Sequence, residues 1–135
     1  MKNLEKYIAV SGQPGIFELV ATRNNGLLVA DMDSKKTKFY TMRKHQFTPL
    51  GSVAIYTYGD AVPIADVFKA MNEQQAENPI LPANAPAPAL FDYFDKILPE
   101  FDRDRVFISD IKKVIKWYNF LDERNVLDFS SEEEE

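Results

Sequence analysis

Residues 16–32 read IFELVATRNNGLLVADM, and this stretch decides the fold. Its first half alternates between two faces with the two-residue period of a half-buried strand, one face carrying Phe17, Leu19 and Ala21. Asn-Asn-Gly at 24–26 then predicts a tight hairpin, because a type I′ turn needs positive φ at its central residues, which Asn tolerates and Gly prefers. The return strand is predicted over 27–32.

Three further β-prone runs surround this hairpin, at 7–10, 37–42 and 53–58. The first is followed by a turn in which Gly12 and Gly15 permit positive φ. Five short strands with short connections predict a small antiparallel SH3-like barrel, because closure protects the edges of the sheet. An open five-stranded sheet covered by a helix gives the same local pattern, so both arrangements fit the sequence.

Helical periodicity begins after the last of these strands. A helix is predicted over 60–77, with Asp60 as its cap and one face packed on the sheet. A second is predicted over 90–98, and a third from 110 to about 124, where Ser109 is a good N-cap. The predicted fold class is therefore α+β.

Composition divides the chain into four segments. Residues 1–77 form the predicted β-rich domain with its trailing helix, and residues 78–89 form a Pro/Ala linker, since interleaved prolines favour extended conformations. Residues 90–129 form a helical region. Residues 130–135 form an acidic tail that we expect to be disordered.

Catalytic motifs are absent from the sequence. There is one histidine, His45, and no cysteine, so histidine clusters and Cys/His pairs cannot be built within one chain. Neither a nucleotide-binding glycine loop nor a Gly-x-Ser-x-Gly nucleophile turn occurs. We therefore expect no enzyme activity, no metal and no cofactor. No apolar run approaches the length of a membrane span, and we expect a cytoplasmic protein that does not contact membranes.

The net charge of −5 conceals an asymmetry. The first sixty residues carry eight Lys/Arg against five Asp/Glu, whereas the rest carry eight against sixteen. No acidic residue occurs between Ser34 and Gly59, where basic and aromatic residues interleave. The candidate binding residues are Lys35, Lys36, Lys38, Phe39, Tyr40, Arg43, Lys44 and Phe47.

The third predicted helix carries an unusually wide apolar stripe. One short helix cannot cover this stripe, so we expect the third helix to dock on the rest of the chain or to form a homodimer. The candidate interface residues are Ile111, Val114, Ile115, Trp117, Tyr118 and Leu121.

Two segments, YIAVSGQPGIFELV at 7–20 and SDIKKVIKWYN at 109–119, resemble those of an uncharacterised bacterial family. Its members join a small N-terminal β-rich domain to a short helical C-terminal region, and the resemblance covers most of the chain apart from the linker and the tail. It implies no activity and no site residue. The strand pattern also resembles SH3-like modules of the KOW and Tudor kind, which bind RNA, ribosomal surfaces or peptides.

These observations predict a non-catalytic interaction module. Its β-rich domain would offer the basic, aromatic segment to another protein, while the helical region docks or dimerises. The alternative is a protein that binds RNA or single-stranded nucleic acid through the hairpin at 35–47, with lysines on phosphates and a ring stacked on a base.

Overall fold

A computed structural model describes residues 4–127 of the chain. Five strands, β1 (Tyr7–Val10), β2 (Phe17–Arg23), β3 (Gly26–Asp31), β4 (Thr37–Thr41) and β5 (Phe47–Pro49), form an antiparallel sheet in the order β4-β3-β2-β1-β5. A two-stranded ribbon, β6 (Ala54–Ile55) and β7 (Val62–Pro63), follows. Three helices then complete the fold: α1 (Ile64–Gln74), α2 (Ala87–Ile97) and α3 (Ile108–Glu123).

The chain divides into two compact units. Among the described residues, the first unit ends at Val53 and the second begins at Ala54. Our predicted boundary was the Pro/Ala segment at 78–89, and the observed division comes before it, because α1 packs with the later helices. The rings of Phe68 and Tyr118 meet edge to face at 5.6 Å, and the Tyr118 hydroxyl donates to Asn72 at 3.4 Å. The predicted acidic tail at 130–135 lies outside the described residues.

The sheet of the first unit is open. Strands β4 and β5 lie at its two ends, and within residues 4–127 they do not pair with each other. The α+β class and an open five-stranded sheet are therefore confirmed, and the closed barrel is wrong, while the covering of this sheet by a helix stays a prediction. Closure would need a strand that pairs with β4 at the far end of the sheet, but β5 ends after three residues in a 3-10 helix over Leu50–Ser52, and the next strand, β6, pairs with β7 instead.

The fifth strand differs from our prediction. The run at 53–58 does not enter the sheet, and its first residues form β6 of the separate ribbon instead. The fifth sheet strand is β5, which pairs with β1 in the register Ile8↔Pro49. Three residues ending in proline give no alternating pattern, so the sequence carries little local signal for this strand.

The hairpin tip also differs. Asn24 and Asn25 form the turn, Gly26 is already the first residue of β3, and neither asparagine has positive φ. A type I′ turn is therefore wrong here. Gly26 is required by a close approach instead, because a Cβ atom there would lie 2.1 Å from the Tyr40 carbonyl oxygen. The expected positive φ of the earlier turn is confirmed, at 80° for Gly12 and for Gly15.

Three helices were predicted, and their starts differ in detail. Pro63, not Asp60, precedes the first residue of α1, and Pro88 lies inside the first turn of α2 rather than in an extended linker. Helix α3 starts after Phe107, whose backbone N–H donates to the Asp110 carboxylate at 2.9 Å. The Asp110 carboxylate therefore accepts a backbone N–H at the start of α3, where the sequence predicts Ser109 as the N-cap.

Candidate interaction surfaces

The basic candidate residues lie along one edge of the sheet. Strand β4 is an edge strand, with Lys38 inside it and the other four cations in the turns at its two ends. All five are exposed: Lys35, Lys36, Lys38, Arg43 and Lys44. The structure therefore brings them together as one surface, which we call the basic edge.

Hydrogen bonds fix the turn at the start of the basic edge. The Asp31 carboxylate accepts from the backbone N–H groups of Asp33 at 2.8 Å and Ser34 at 2.9 Å. The Lys35 N–H donates to the Asp31 carbonyl oxygen at 2.9 Å, and Lys35 adopts a φ of 64°. The two lysines of this turn are thus carried on an ordered backbone.

Contacts with the loop after β1 fix the opposite end. The Thr41 carbonyl oxygen accepts from the N–H groups of Lys44 at 3.4 Å and His45 at 3.2 Å. His45 Nδ1 lies 3.0 Å from the Ser11 carbonyl oxygen, and the Ser11 hydroxyl accepts from the Gln46 N–H at 2.8 Å. His45 is half-buried and holds this turn against the neighbouring loop.

Alternate backbone groups of β4 point away from the sheet. Asp31 donates to the Lys36 carbonyl oxygen and Met42 donates to the Asn25 carbonyl oxygen, both at 2.9 Å. Hydrogen-bonded pairs in an antiparallel ladder recur every second residue, so even-numbered residues of β4 face β3. The N–H and C=O groups of Thr37 and Phe39 therefore point outward, and both residues are exposed.

The aromatic candidates separate into buried and exposed rings. Tyr40 is buried, with its ring edge to face against Phe17 at 5.8 Å and His45 at 4.8 Å. Phe47 is half-buried and packs on the same cluster. The burial of Tyr40 argues against its stacking on a base, whereas stacking by the partly accessible Phe47 stays a prediction. Phe39 remains, 39% exposed.

The candidate interface on α3 is mostly core. Trp117 is half-buried, and the other five side chains are at most 1% exposed: Ile111, Val114, Ile115, Tyr118 and Leu121. A second copy cannot reach side chains that the chain itself covers. These five side chains therefore do not form an exposed dimer interface. Burial within one chain accounts for the wide apolar stripe.

A second exposed surface was missed by the sequence analysis. Thr57 pairs with Phe101 in an isolated antiparallel bridge, and both are buried. Tyr56 and Tyr58, on either side of Thr57, are 50% and 63% exposed. We call this pair of segments, 56–58 and 100–102, the tyrosine ribbon. Its only sequence signal was the alternation Tyr-Thr-Tyr, which fits a buried strand equally well.

Two arginines just after the ribbon hold the exposed tyrosines. The Arg105 guanidinium lies 4.4 Å from the centroid of the Tyr56 ring, and the Arg103 backbone N–H donates to the Tyr58 hydroxyl oxygen at 3.3 Å. The Arg103 guanidinium is occupied elsewhere, since it lies over the Phe101 ring and pairs with Asp95. Both phenol rings are therefore exposed yet held in place.

Asp102 connects Arg105 to the ribbon. Its carboxylate accepts from Arg105 Nε at 2.8 Å and from the Asp104 backbone N–H at 2.9 Å. The hydrogen bond from Arg105, followed by that from Asp104, lowers the pKa of Asp102 below its ordinary value. Arg105 also donates from Nη2 to the Thr57 carbonyl oxygen at 3.3 Å, so two nitrogens of its planar guanidinium are engaged.

Three features of the described residues bear on metal binding, ligand binding and membrane insertion. Within residues 4–127, no three His, Asp or Glu side chains lie close enough to hold a metal ion. A cavity of about 240 Å³ lies beside α2, and two of its lining residues, Asp92 and Lys96, form an ion pair at 3.6 Å. No described helix combines the length and the apolarity that crossing a bilayer requires.

Comparison with known proteins identifies the family. The domain of unknown function DUF5606 matches residues 4–50 and the domain of unknown function DUF6852 matches residues 53–121. A solution NMR structure from Bacteroides vulgatus is 33% identical, with a TM-score of 0.75 over 94% of this chain and 91% of that one. No curated protein matches. The resemblance to a bacterial family with a β-rich N-terminus and a helical C-terminus is thus confirmed, and the chain belongs to the DUF6852 family.

Proposed function

We propose that the protein is an interaction module whose basic edge binds an acidic, extended segment of a partner protein. The observation that carries this proposal is an exposed edge strand, β4, whose outward N–H and C=O groups at Thr37 and Phe39 lie between two clusters of exposed cations. The partner segment adds to the sheet as a further strand.

Backbone hydrogen bonds supply the affinity in this binding mode. An extended peptide that adds to a sheet edge pairs its own N–H and C=O groups with those of the edge strand. Residues Thr37 and Phe39 offer two donors and two acceptors in the correct alternation. The ordered turns at both ends support the proposal, because an edge that is already rigid loses little conformational entropy on binding.

Charge supplies the selectivity. Lysines on edge strands prevent two edges of like charge from pairing, which protects a protein from aggregation. The same lysines attract an acidic strand, and no acidic residue occurs between Ser34 and Gly59, the stretch that contains β4. The basic edge therefore disfavours copies of itself and favours partners of opposite charge.

The geometry favours a peptide over a nucleic acid. Lys38 shares a sheet face with the buried Tyr40, its Nζ 5.3 Å from the ring centroid, while Phe39 projects from the opposite face. One nucleotide cannot easily place its phosphate on Lys38 and its base on Phe39. Nucleic-acid binding is nevertheless retained as an outcome of the test.

The test uses the full chain and three labelled probes in fluorescence anisotropy. These are a peptide of alternating Glu and Val, the same peptide with Lys in place of Glu, and a mixed-sequence single-stranded RNA. We expect binding of the acidic peptide, weakened by salt, and weak or no binding of the basic one. RNA binding that is stronger than acidic-peptide binding would contradict the proposal and favour the nucleic-acid alternative.

A backbone variant separates strand addition from charge attraction alone. Thr37→Pro removes an outward N–H without removing a bond to β3, and proline is tolerated at the first residue of an edge strand. We expect it to weaken acidic-peptide binding about fivefold, the value of one backbone hydrogen bond. Thr37→Ala keeps the N–H and is the matched control.

A charge variant tests the other half of the proposal. The double change Lys35→Glu with Lys38→Glu is expected to lower affinity for the acidic peptide about tenfold or more, since each reversal replaces attraction by repulsion. Equal losses for Thr37→Ala and Thr37→Pro, or no loss on charge reversal, would overturn strand addition at this edge.

A further inference from the structure

The tyrosine ribbon repeats one arrangement twice. Because Thr57 lies opposite Phe101, antiparallel pairing puts Tyr56 opposite Asp102 and Tyr58 opposite Glu100. Two backbone bonds agree with this register: Asp102 N–H to the Tyr56 carbonyl oxygen at 2.9 Å, and Tyr58 N–H to the Glu100 carbonyl oxygen at 3.0 Å. Each tyrosine therefore lies at a position directly opposite an acidic residue.

The first pair binds an arginine from the same chain. Arg105 stacks on the Tyr56 ring at 4.4 Å while its Nε donates to Asp102 at 2.8 Å. A guanidinium gains here both from the electron-rich face of the ring and from a charge-assisted hydrogen bond. This triad shows which ligand a Tyr–carboxylate pair of this geometry accepts.

The second pair has the same components and is accessible. Tyr58 is 63% exposed and Glu100 is exposed, and directly opposite residues have Cβ atoms about 5 Å apart. The Tyr58 hydroxyl is anchored by the Arg103 N–H at 3.3 Å, which fixes the ring before any ligand arrives. A ring that is already held in place costs little entropy to engage.

We propose that Tyr58 and Glu100 form a docking site for an arginine side chain of a partner protein. The guanidinium stacks on the Tyr58 ring and donates to the Glu100 carboxylate, as Arg105 does at Tyr56 and Asp102. Local charge supports a cationic ligand, because Asp60 is exposed close to Tyr58 in sequence and the Arg103 guanidinium is already paired with Asp95.

This site is independent of the basic edge. It lies in the unit that begins at Ala54, whereas β4 belongs to the unit that ends at Val53, and it selects the opposite charge. Arginine fits better than lysine, because a planar guanidinium can stack and donate at the same time. The acidic-peptide experiment can therefore fail while this site is retained, and the reverse also holds.

The test is an NMR titration of the isotope-labelled full chain with acetyl-arginine methylamide. We expect saturable shifts centred on the backbone amides of Tyr58 and Glu100, with a dissociation constant on the order of millimolar for so small a ligand. Acetyl-citrulline methylamide has the same shape without the charge, and we expect it to give no saturable shift. An equal response to both compounds would overturn the proposal.

Variants locate the site. Glu100→Gln and Tyr58→Ala are both surface changes, and each is expected to weaken binding about fivefold, whereas the control Asp104→Asn keeps it. Arg105→Gln frees the first pair and is expected to add a second set of saturable shifts at Tyr56 and Asp102. Shifts that persist unchanged in Glu100→Gln, or that centre elsewhere on the chain, would contradict the assignment.

Discussion

Phe39 lies across Gly26, so that a Cβ atom at Gly26 would come within 2.8 Å of the ring carbon Cζ. The glycine sits at the start of β3, and the phenylalanine lies two residues before its partner Thr41 on β4. This contact explains why Phe39 is only partly exposed, and it ties the hairpin tip to the edge strand.

Gly26→Ala tests that contact. The new methyl group would also meet the Tyr40 carbonyl oxygen at 2.1 Å, and a backbone atom cannot move aside as a side chain can. We expect the free energy of unfolding to fall by about 3 kcal/mol. Gly12→Ala is the control in the same unit: it meets no atom within 4 Å and costs only its positive φ, about 1 kcal/mol. Denaturant unfolding measures both, and equal losses would contradict the close approach.

Ile115→Ala tests whether the apolar stripe of α3 is core. Ile115 is fully buried, so truncation leaves a cavity, and we expect a loss of about 2–5 kcal/mol in unfolding free energy. The neighbouring exposed residue provides the control, since Lys116→Ala should change stability by less than about 0.5 kcal/mol. If the parent protein is a dimer and the Ile115→Ala variant is a stable monomer, the result would instead support a dimer interface at α3.

Two buried tyrosines should respond oppositely to loss of their hydroxyl groups. The Tyr93 hydroxyl is buried and has no hydrogen-bond partner among the described residues, whereas Tyr118 donates to Asn72 at 3.4 Å. Tyr93→Phe is therefore expected to leave stability unchanged or raise it by up to about 1 kcal/mol, and Tyr118→Phe to lower it by about 1 kcal/mol. Thermal unfolding of the two variants side by side decides the order.

The same tyrosines predict a loss of stability in alkali. Burial, followed by the nearby Asp122 carboxylate, raises the pKa of Tyr118 from 10.0 to about 12. Burial also raises the pKa of Tyr93. The folded state therefore holds these protons more tightly than the unfolded state does, and its advantage is complete below pH 10 and lost as the pH rises towards 12. Unfolding followed at several alkaline pH values, with Tyr118→Phe for comparison, checks the slope.

Local patterns predicted much of the fold. Strands β1 to β4 and all three helices follow from alternation, turn glycines and helical spacing, which act between residues close in sequence. Pairing of Ile8 with Pro49, and of Thr57 with Phe101, joins segments about forty residues apart. No local pattern records such pairs, so the order of the sheet and the ribbon could not be derived.

The candidate sites could be predicted only in part, because local patterns do not record contacts between distant segments. The cations of the basic edge were recognised because charge in a strand or turn is exposed almost wherever it lies. The exposure of rings depends on which face of the sheet is covered: Tyr40 and Phe39 are neighbours in sequence, yet one is buried and the other is not. Tyr58 looked like a strand residue until its segment was found paired with residues 100–102.

The position of β1 between β2 and β5 has a consequence for how the chain folds. Strands β2, β3 and β4 form consecutive hairpins whose partners meet through short loops, and such contacts form quickly. Strand β1 emerges first during synthesis, yet one of its two edges stays unpaired until β5, some forty residues later, has been made. We therefore expect the hairpins of β2, β3 and β4 to form early and β5 to join the sheet last. A nascent chain stopped before Phe47 then has one edge of β1 unpaired.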